Sequence, residues 1–125
     1  MILTPTRELA AQINEQIEIF GKFTGLKSAT IFGGVPMPAQ KRAFESGVDI
    51  MVATPGRLLD HFQHRYAKLL SLEVLVFDEA DRMLDMGFIP DIEEICTKLP
   101  SPRQTLSRGR SWPICLSTST SRAAT

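Results

Sequence analysis

The chain has no surplus of charge of either sign: fourteen Lys and Arg are matched by fourteen Asp and Glu. Without bulk positive charge to draw polyanions, any grip on nucleic acid has to come from the local placement of a few side chains. Cysteine is scarce. Cys96 and Cys115 are the only two, far apart and with no His or Cys at metal spacing beside them, which argues against a disulfide framework or a zinc site. Cys96 reads instead as a small apolar filler on a helix. No apolar run approaches the roughly 20 residues of a membrane span, and no charged-then-apolar leader opens the chain, so no membrane is expected and the expected location is cytoplasmic. No stretch fits the phosphate-cradling pattern G-x-x-x-x-G-K-[ST]. Acidic residues also run out early. Every one lies at or before Glu94, and Ser107 to Thr125 holds eight Ser or Thr and three Arg with no period of 2 or 3.6.

What is present describes an ordinary globular chain whose 125 residues make at most one domain, 43% apolar and 22% charged, with a modest core. Val74-Leu75-Val76-Phe77 is a short apolar run that stops on Asp78-Glu79-Ala80-Asp81. It reads as a strand buried on both faces, with acids at its carboxyl end, where open α/β sheets bind ligands. Two adjacent acids there suit a Mg²⁺-nucleotide site: Asp78 could hold the metal's water shell and Glu79 take a proton from an attacking water. The alternative is a plain helix N-terminus, with acids stabilised by the helix dipole.

Taken in order, Met1-Ile2-Leu3 reads as the tail of a strand that begins before the chain does. Thr4 or Thr6 caps a helix near Pro5, with Leu9, Ile13, Ile17 and Phe20 along one face and Gly21 at its end. Its N-terminus, with hydroxyls and Arg7, offers donors to a phosphate; equally, Arg7 could form a surface salt bridge on a capped helix. Ser28 to Phe32 is a second strand, broken by Gly33-Gly34, a pair that admits close anion approach but more often makes a simple turn. A helix around Gln40 to Phe44 closes at Gly47. Val48 to Ala53 is a third strand, followed by Thr54-Pro55-Gly56-Arg57 and a helix bearing Leu58, Leu59 and Phe62. His61 and His64 stand three apart on it, but with no third ligand evident they read as solvated surface residues. Arg65 to Leu72 is a connector. After the acids come a helix from Ala80 to Met86, a turn at Gly87-Phe88-Ile89-Pro90, a helix from Asp91 to Leu99, and a strand opening at Gln104-Thr105-Leu106. The alternation of strands and helices argues an α/β fold with a parallel sheet flanked by helices.

Asp78-Glu79-Ala80-Asp81, followed by Arg82-Met83-Leu84-Asp85-Met86-Gly87-Phe88, resembles the signature of the DEAD-box ATP-dependent RNA helicases. Thr4-Pro5-Thr6-Arg7-Glu8-Leu9-Ala10, Gly33-Gly34 and Thr54-Pro55-Gly56-Arg57 fall in that family's order and spacing. The resemblance covers about residues 1–106. It implies part of the first RecA-like domain of a P-loop NTPase, bacterial in flavour, with ATP held between two such domains and RNA crossing both. It implies a Mg²⁺ role for Asp78, through water, with Glu79 activating the hydrolytic water and Asp81 in the interdomain network. RNA-backbone contacts would fall to Thr6, Arg7, Gly33, Gly34, Thr54 and Arg57, with little sequence readout. The family's phosphate loop and adenine-reading Gln would precede Met1, and its second domain would follow. From Ser107 the chain departs from the family's Ser-Ala-Thr continuation. Residues 107–125 are accordingly expected to be a divergent tail, disordered or passively collapsed, with a slipped reading frame as one origin. Two other readings stay open: a non-catalytic module binding the RNA backbone, and an inactive truncated gene product whose sheet lacks the strand before Met1 and the one after Leu106.

Overall fold

The structure, a computed structural model, describes residues 1–108 and, by backbone alone, 120–124. It contains β1 (Ile2–Leu3), α1 (Arg7–Phe20), β2 (Ser28–Ile31), α2 (Met37–Ser46), β3 (Ile50–Ala53), α3 (Pro55–Phe62), β4 (Val74–Phe77), α4 (Ala80–Asp85), α5 (Ile89–Thr97), β5 (Gln104–Arg108) and β6 (Thr120–Ala124). The strands form a single sheet in the order β2-β3-β1-β4-β5-β6, and every pairing in it is parallel. Short β1 lies at the centre, Leu3 opposite Ala53 on one side and Phe77 on the other.

Side chains alternate across a strand, and this register lines Leu3, Ile31, Met51, Ala53, Leu75 and Phe77 on one face. There they pack with Leu58, Met83, Ile92 and Ile95 from α3, α4 and α5 into the core. Each Leu, Ile, Met or Phe among them contributes about 1.5–3 kcal/mol when fully buried. On the opposite face Val52 is fully buried, but Val76 is only half-buried and Val74 is exposed. The expectation that Val74–Phe77 is covered on both faces is therefore met on one.

Other differences have local causes. A 14-residue helix such as α1 is about 21 Å long, whereas the four-residue strands beside it span about 13 Å. Its end therefore overhangs the sheet: Ala10 is buried, Ile13 and Ile17 half-buried, and Phe20 is 80% exposed. The last helix starts at Ile89 rather than Asp91, with Pro90 in its first turn, where a missing N–H costs nothing. Cys96 packs against the core as a filler would, yet it is disulfide-bonded, contrary to expectation; Cys115 lies outside the described residues.

The sheet also continues past the point where the resemblance weakens. Ser107 and Arg108 complete β5, and β6 pairs with it from Gln104↔Thr120 to Arg108↔Ala124. Residues 107–125 were expected to be disordered or passively collapsed, and Thr120–Ala124 is nonetheless a strand of the sheet. An outer strand needs only backbone hydrogen bonds, which almost any residue can make. The rest of the tail lies outside the described residues.

Candidate functional site

Because all strands run the same way, their carboxyl ends share one edge, the usual ligand-binding edge of such sheets. Pairing stays level there. The Thr4 amide donates to the Ala53 carbonyl at 3.0 Å, that of Thr54 to Ile31 at 2.9 Å and that of Asp78 to Leu3 at 2.9 Å. Thr4, Thr54 and Asp78 thus stand in a row, with the Gly33-Gly34 loop beyond the end of β2.

Asp78 leaves β4 with its side chain only 17% exposed, approached at 3.9 Å by an Arg108 guanidinium nitrogen. Glu79 follows in the left-handed region, φ 52° and ψ 50°, the one non-glycine residue with positive φ among the described residues. For an L-residue this costs about 1–2 kcal/mol, and such strain gathers at functional sites. The kink sends Ala80 and Met83 into the core and leaves the Glu79 carboxylate 43% exposed, 3.4 Å from Arg82. A plain helix start would use the residue at the cap position to bond the first-turn amides. Glu79 holds that position and makes no such bond. The dipole account therefore fits Asp81, exposed in the first turn of α4, better than it fits Asp78 and Glu79.

On the other side of β1, Thr6 caps α1, its Oγ1 accepting from the Leu9 amide at 3.3 Å; a hydroxyl that accepts still carries one proton it can donate. Arg7 is 61% exposed and pairs with Glu8 at 3.5 Å, the arrangement of a surface ion pair. It also reaches the glycine loop: a Cβ built on Gly34, whose φ is +84°, would lie 2.6 Å from an Arg7 guanidinium nitrogen, while one on Gly33 meets nothing within 4 Å. Neither glycine amide donates to a described residue. Thr54 starts α3, half-buried and with no side-chain cap bond. Thr6, Arg7, Gly33, Gly34 and Thr54 are thus brought to one edge.

Arg57 is placed differently. Its side chain is 16% exposed and turned inward, donating to the Val35 carbonyl at 2.5 Å and, more weakly, to Gln40 Oε1 at 3.4 Å. It braces the loop from within rather than standing at the open edge. His61 also departs from expectation. It is fully buried, between Gln40 Oε1 at 2.9 Å and the Tyr66 hydroxyl at 2.6 Å, whereas His64 is exposed as expected. Burial first, then the positive charge of Arg57 and His64, holds the His61 pKa below 6.5, with Asp60 opposing. Thr4 was read only as a possible cap. It is wholly buried at the centre of the edge, and among the described residues its hydroxyl has no hydrogen-bond partner.

The sequence matches the family described as DEAD/DEAH box helicase over residues 1–119. The chain belongs to that family. It is 47% identical over 113 residues to the rice protein DEAD-box ATP-dependent RNA helicase 20, covering 90% of this chain and 23% of that one. It is 48% identical to DEAD-box ATP-dependent RNA helicase 14 of Arabidopsis thaliana, covering 90% and 18% respectively. Among solved structures, the yeast DEAD-box splicing factor Prp28 matches with a TM-score of 0.80 at 36% identity, covering 90% of this chain and 28% of that one. A hypothetical ATP-dependent RNA helicase from Sulfolobus tokodaii matches at 0.79 and 33%, covering 98% and 39%. The parallel sheet is therefore that of a RecA-like helicase domain. The chain spans about a fifth of the curated relatives it matches, and a bacterial origin finds no support among the relatives named here.

Proposed function

We propose that the chain is part of the first RecA-like domain of an ATP-dependent RNA helicase. The longer protein would couple ATP binding and hydrolysis to unwinding or remodelling of RNA duplexes, with a second RecA-like domain closing over the nucleotide. The observation that carries this reading is the strained Glu79 directly after Asp78, a kink that sets two carboxylates at the ligand-binding edge.

Mg²⁺ keeps several waters and needs one or two carboxylates beside phosphate oxygens rather than a protein cage. Asp78, little exposed and fixed at a strand end, suits holding that water shell. Among the described residues no cluster of three or more His, Cys, Asp or Glu could enclose a metal, and a shared site of this kind requires none. Bound Mg²⁺-ATP would supply the phosphoryl group and the charge that offsets it. Glu79, more exposed than Asp78, is the group to accept a proton from water, and Asp81 would take part in a network with the second domain. The residues present fit the metal side of the site. The triphosphate cradle has to come from elsewhere in the longer protein, since this sequence holds no phosphate loop. RNA would lie along Thr6, Arg7, Gly33, Gly34 and Thr54 by its phosphates, with Arg57 acting from inside the loop, so little sequence would be read.

The test uses a longer protein that carries the phosphate loop and both domains. Glu79→Gln should lower ATP hydrolysis on the order of 10²–10⁴-fold with ATP and RNA still bound, while Asp78→Asn should weaken nucleotide binding as well. Near-normal turnover in Glu79→Gln would sink the assignment. A second reading, a module that grips the RNA backbone without using nucleotide, requires RNA affinity to be indifferent to ATP.

A further inference from the structure

The Gly33-Gly34 loop is held from behind by two side chains. Gln40, nearly fully buried on α2, donates from Nε2 to the Phe32 carbonyl at 2.8 Å, and Arg57 on α3 donates to the Val35 carbonyl. A carbonyl only accepts, so the amide nitrogen of Gln40 has to face Phe32 and its oxygen has to face His61. The 2.9 Å contact between that oxygen and His61 Nε2 then places the imidazole hydrogen on Nε2 and leaves Nδ1 to accept from the Tyr66 hydroxyl. The chain Tyr66, His61, Gln40, Phe32 is therefore directional, and reversing the Gln40 amide would set oxygen against oxygen at Phe32. No peptide bond here is cis, and in a planar trans peptide the C=O and N–H point opposite ways. Pulling the Phe32 carbonyl towards Gln40 sends the Gly33 amide hydrogen away from the protein interior.

We propose that Gln40 is a positioning residue for a backbone phosphate at Gly33-Gly34, and that His61, held by Tyr66, sets the orientation of the Gln40 amide. This rests on the reading above, that the edge takes the RNA backbone, and adds residues outside the motifs that carry it. If the network only tied α2 to α3, any residue preserving the His61 and Arg57 contacts would serve. If it aims the Gly33 amide, the donor to Phe32 is indispensable.

The test measures binding of the chain to a fluorescent 12-nucleotide oligouridine over a salt series, for wild type, Arg7→Ala, Gln40→Leu and Gln40→Glu. Gln40→Glu can still accept from His61 and Arg57 but, ionised, has no proton for the Phe32 carbonyl. Both Gln40 variants should bind about tenfold more weakly, with a salt slope reduced by about 0.7 for the one phosphate lost from a single strand. Wild-type affinity and slope in both, while Arg7→Ala is impaired, would overturn the proposal and leave the RNA reading intact. Absence of salt-dependent binding by wild type, or an unimpaired Arg7→Ala, would remove the RNA reading and the proposal with it. Should the Gln40 variants fail to fold, amide exchange on the wild-type chain decides. The Gly33 amide should exchange quickly when free and shift on adding oligouridine, and a Gly33 amide protected in the free chain contradicts the inference.

Discussion

The two loop glycines make a matched pair, because alanine at either removes the same freedom from the unfolded chain. That gain, about 0.4–1 kcal/mol, cancels when the two variants are compared. What remains is the folded state. Gly33 has an ordinary φ and open space where a Cβ would go, whereas Gly34 has φ +84° with an Arg7 guanidinium nitrogen 2.6 Å from the added carbon. The left-handed backbone costs alanine about 1–2 kcal/mol. The clash adds little to that, since the tip of an arginine swings away cheaply. Gly34→Ala should therefore be less stable than Gly33→Ala by about 1–2 kcal/mol, read from urea midpoints at equal slope. The displaced Arg7 gives a second, independent signature: RNA affinity should fall in Gly34→Ala, and the salt slope should drop by about 0.7. Equal stabilities for the two alanine variants would refute the backbone argument. A destabilised Gly34→Ala with an unaltered salt slope would refute the claim that this glycine gives Arg7 its place at the edge.

The two arginines should separate cleanly: Arg7→Ala, at an exposed position, should change stability by no more than about 0.5 kcal/mol yet weaken RNA binding. Arg57→Ala should cost about 1–3 kcal/mol by leaving the Val35 carbonyl without its donor, checked by urea unfolding. Stability should also fall as pH drops below 6.5. The unfolded chain takes up a proton at that histidine while buried His61, with Arg57 and His64 adding to burial, Asp60 opposing, Tyr66 on Nδ1 and Lys41 over the Tyr66 ring, resists it. Unfolding midpoints between about pH 5 and 7.5 should show a decline towards acid that His61→Phe reduces. Finally, the chain should bind a fluorescent ATP analogue poorly in the presence of Mg²⁺, because Asp78 and Glu79 alone cannot cradle a triphosphate; micromolar affinity, about −8 kcal/mol, would contradict this.

Much of the architecture was legible because it depends on short-range pattern. Apolar runs ending on turns at Leu3, Phe32, Ala53 and Phe77 mark four parallel strands, and the parallel arrangement alone brings Arg7, Gly33, Thr54 and Asp78 to one edge. The kink at Glu79 was not legible, since nothing in the residue type announces a left-handed backbone. The sixth strand was missed for the opposite reason. Thr120–Ala124 carries no hydrophobic alternation, and pairing along an outer edge does not need one.

The misplacement of His61 has a sharper lesson, because a signal was present. Pro55, Leu58 and His61 recur at three-residue spacing on α3 and are its buried residues, so a histidine three places after a core leucine lies on the core face. Comparing it with His64 as a metal pair pointed to the wrong neighbour. A polar ring on a buried face has to find partners, and both of its nitrogens do, in Gln40 and Tyr66. The partner that matters, Gln40, is 21 residues away on another helix, and Arg57, one place before Leu58, is drawn inward beside it. Spacing along one helix could reveal that His61 needed partners. Only the packing of α2 against α3 could show that meeting this need also holds the backbone of the glycine loop.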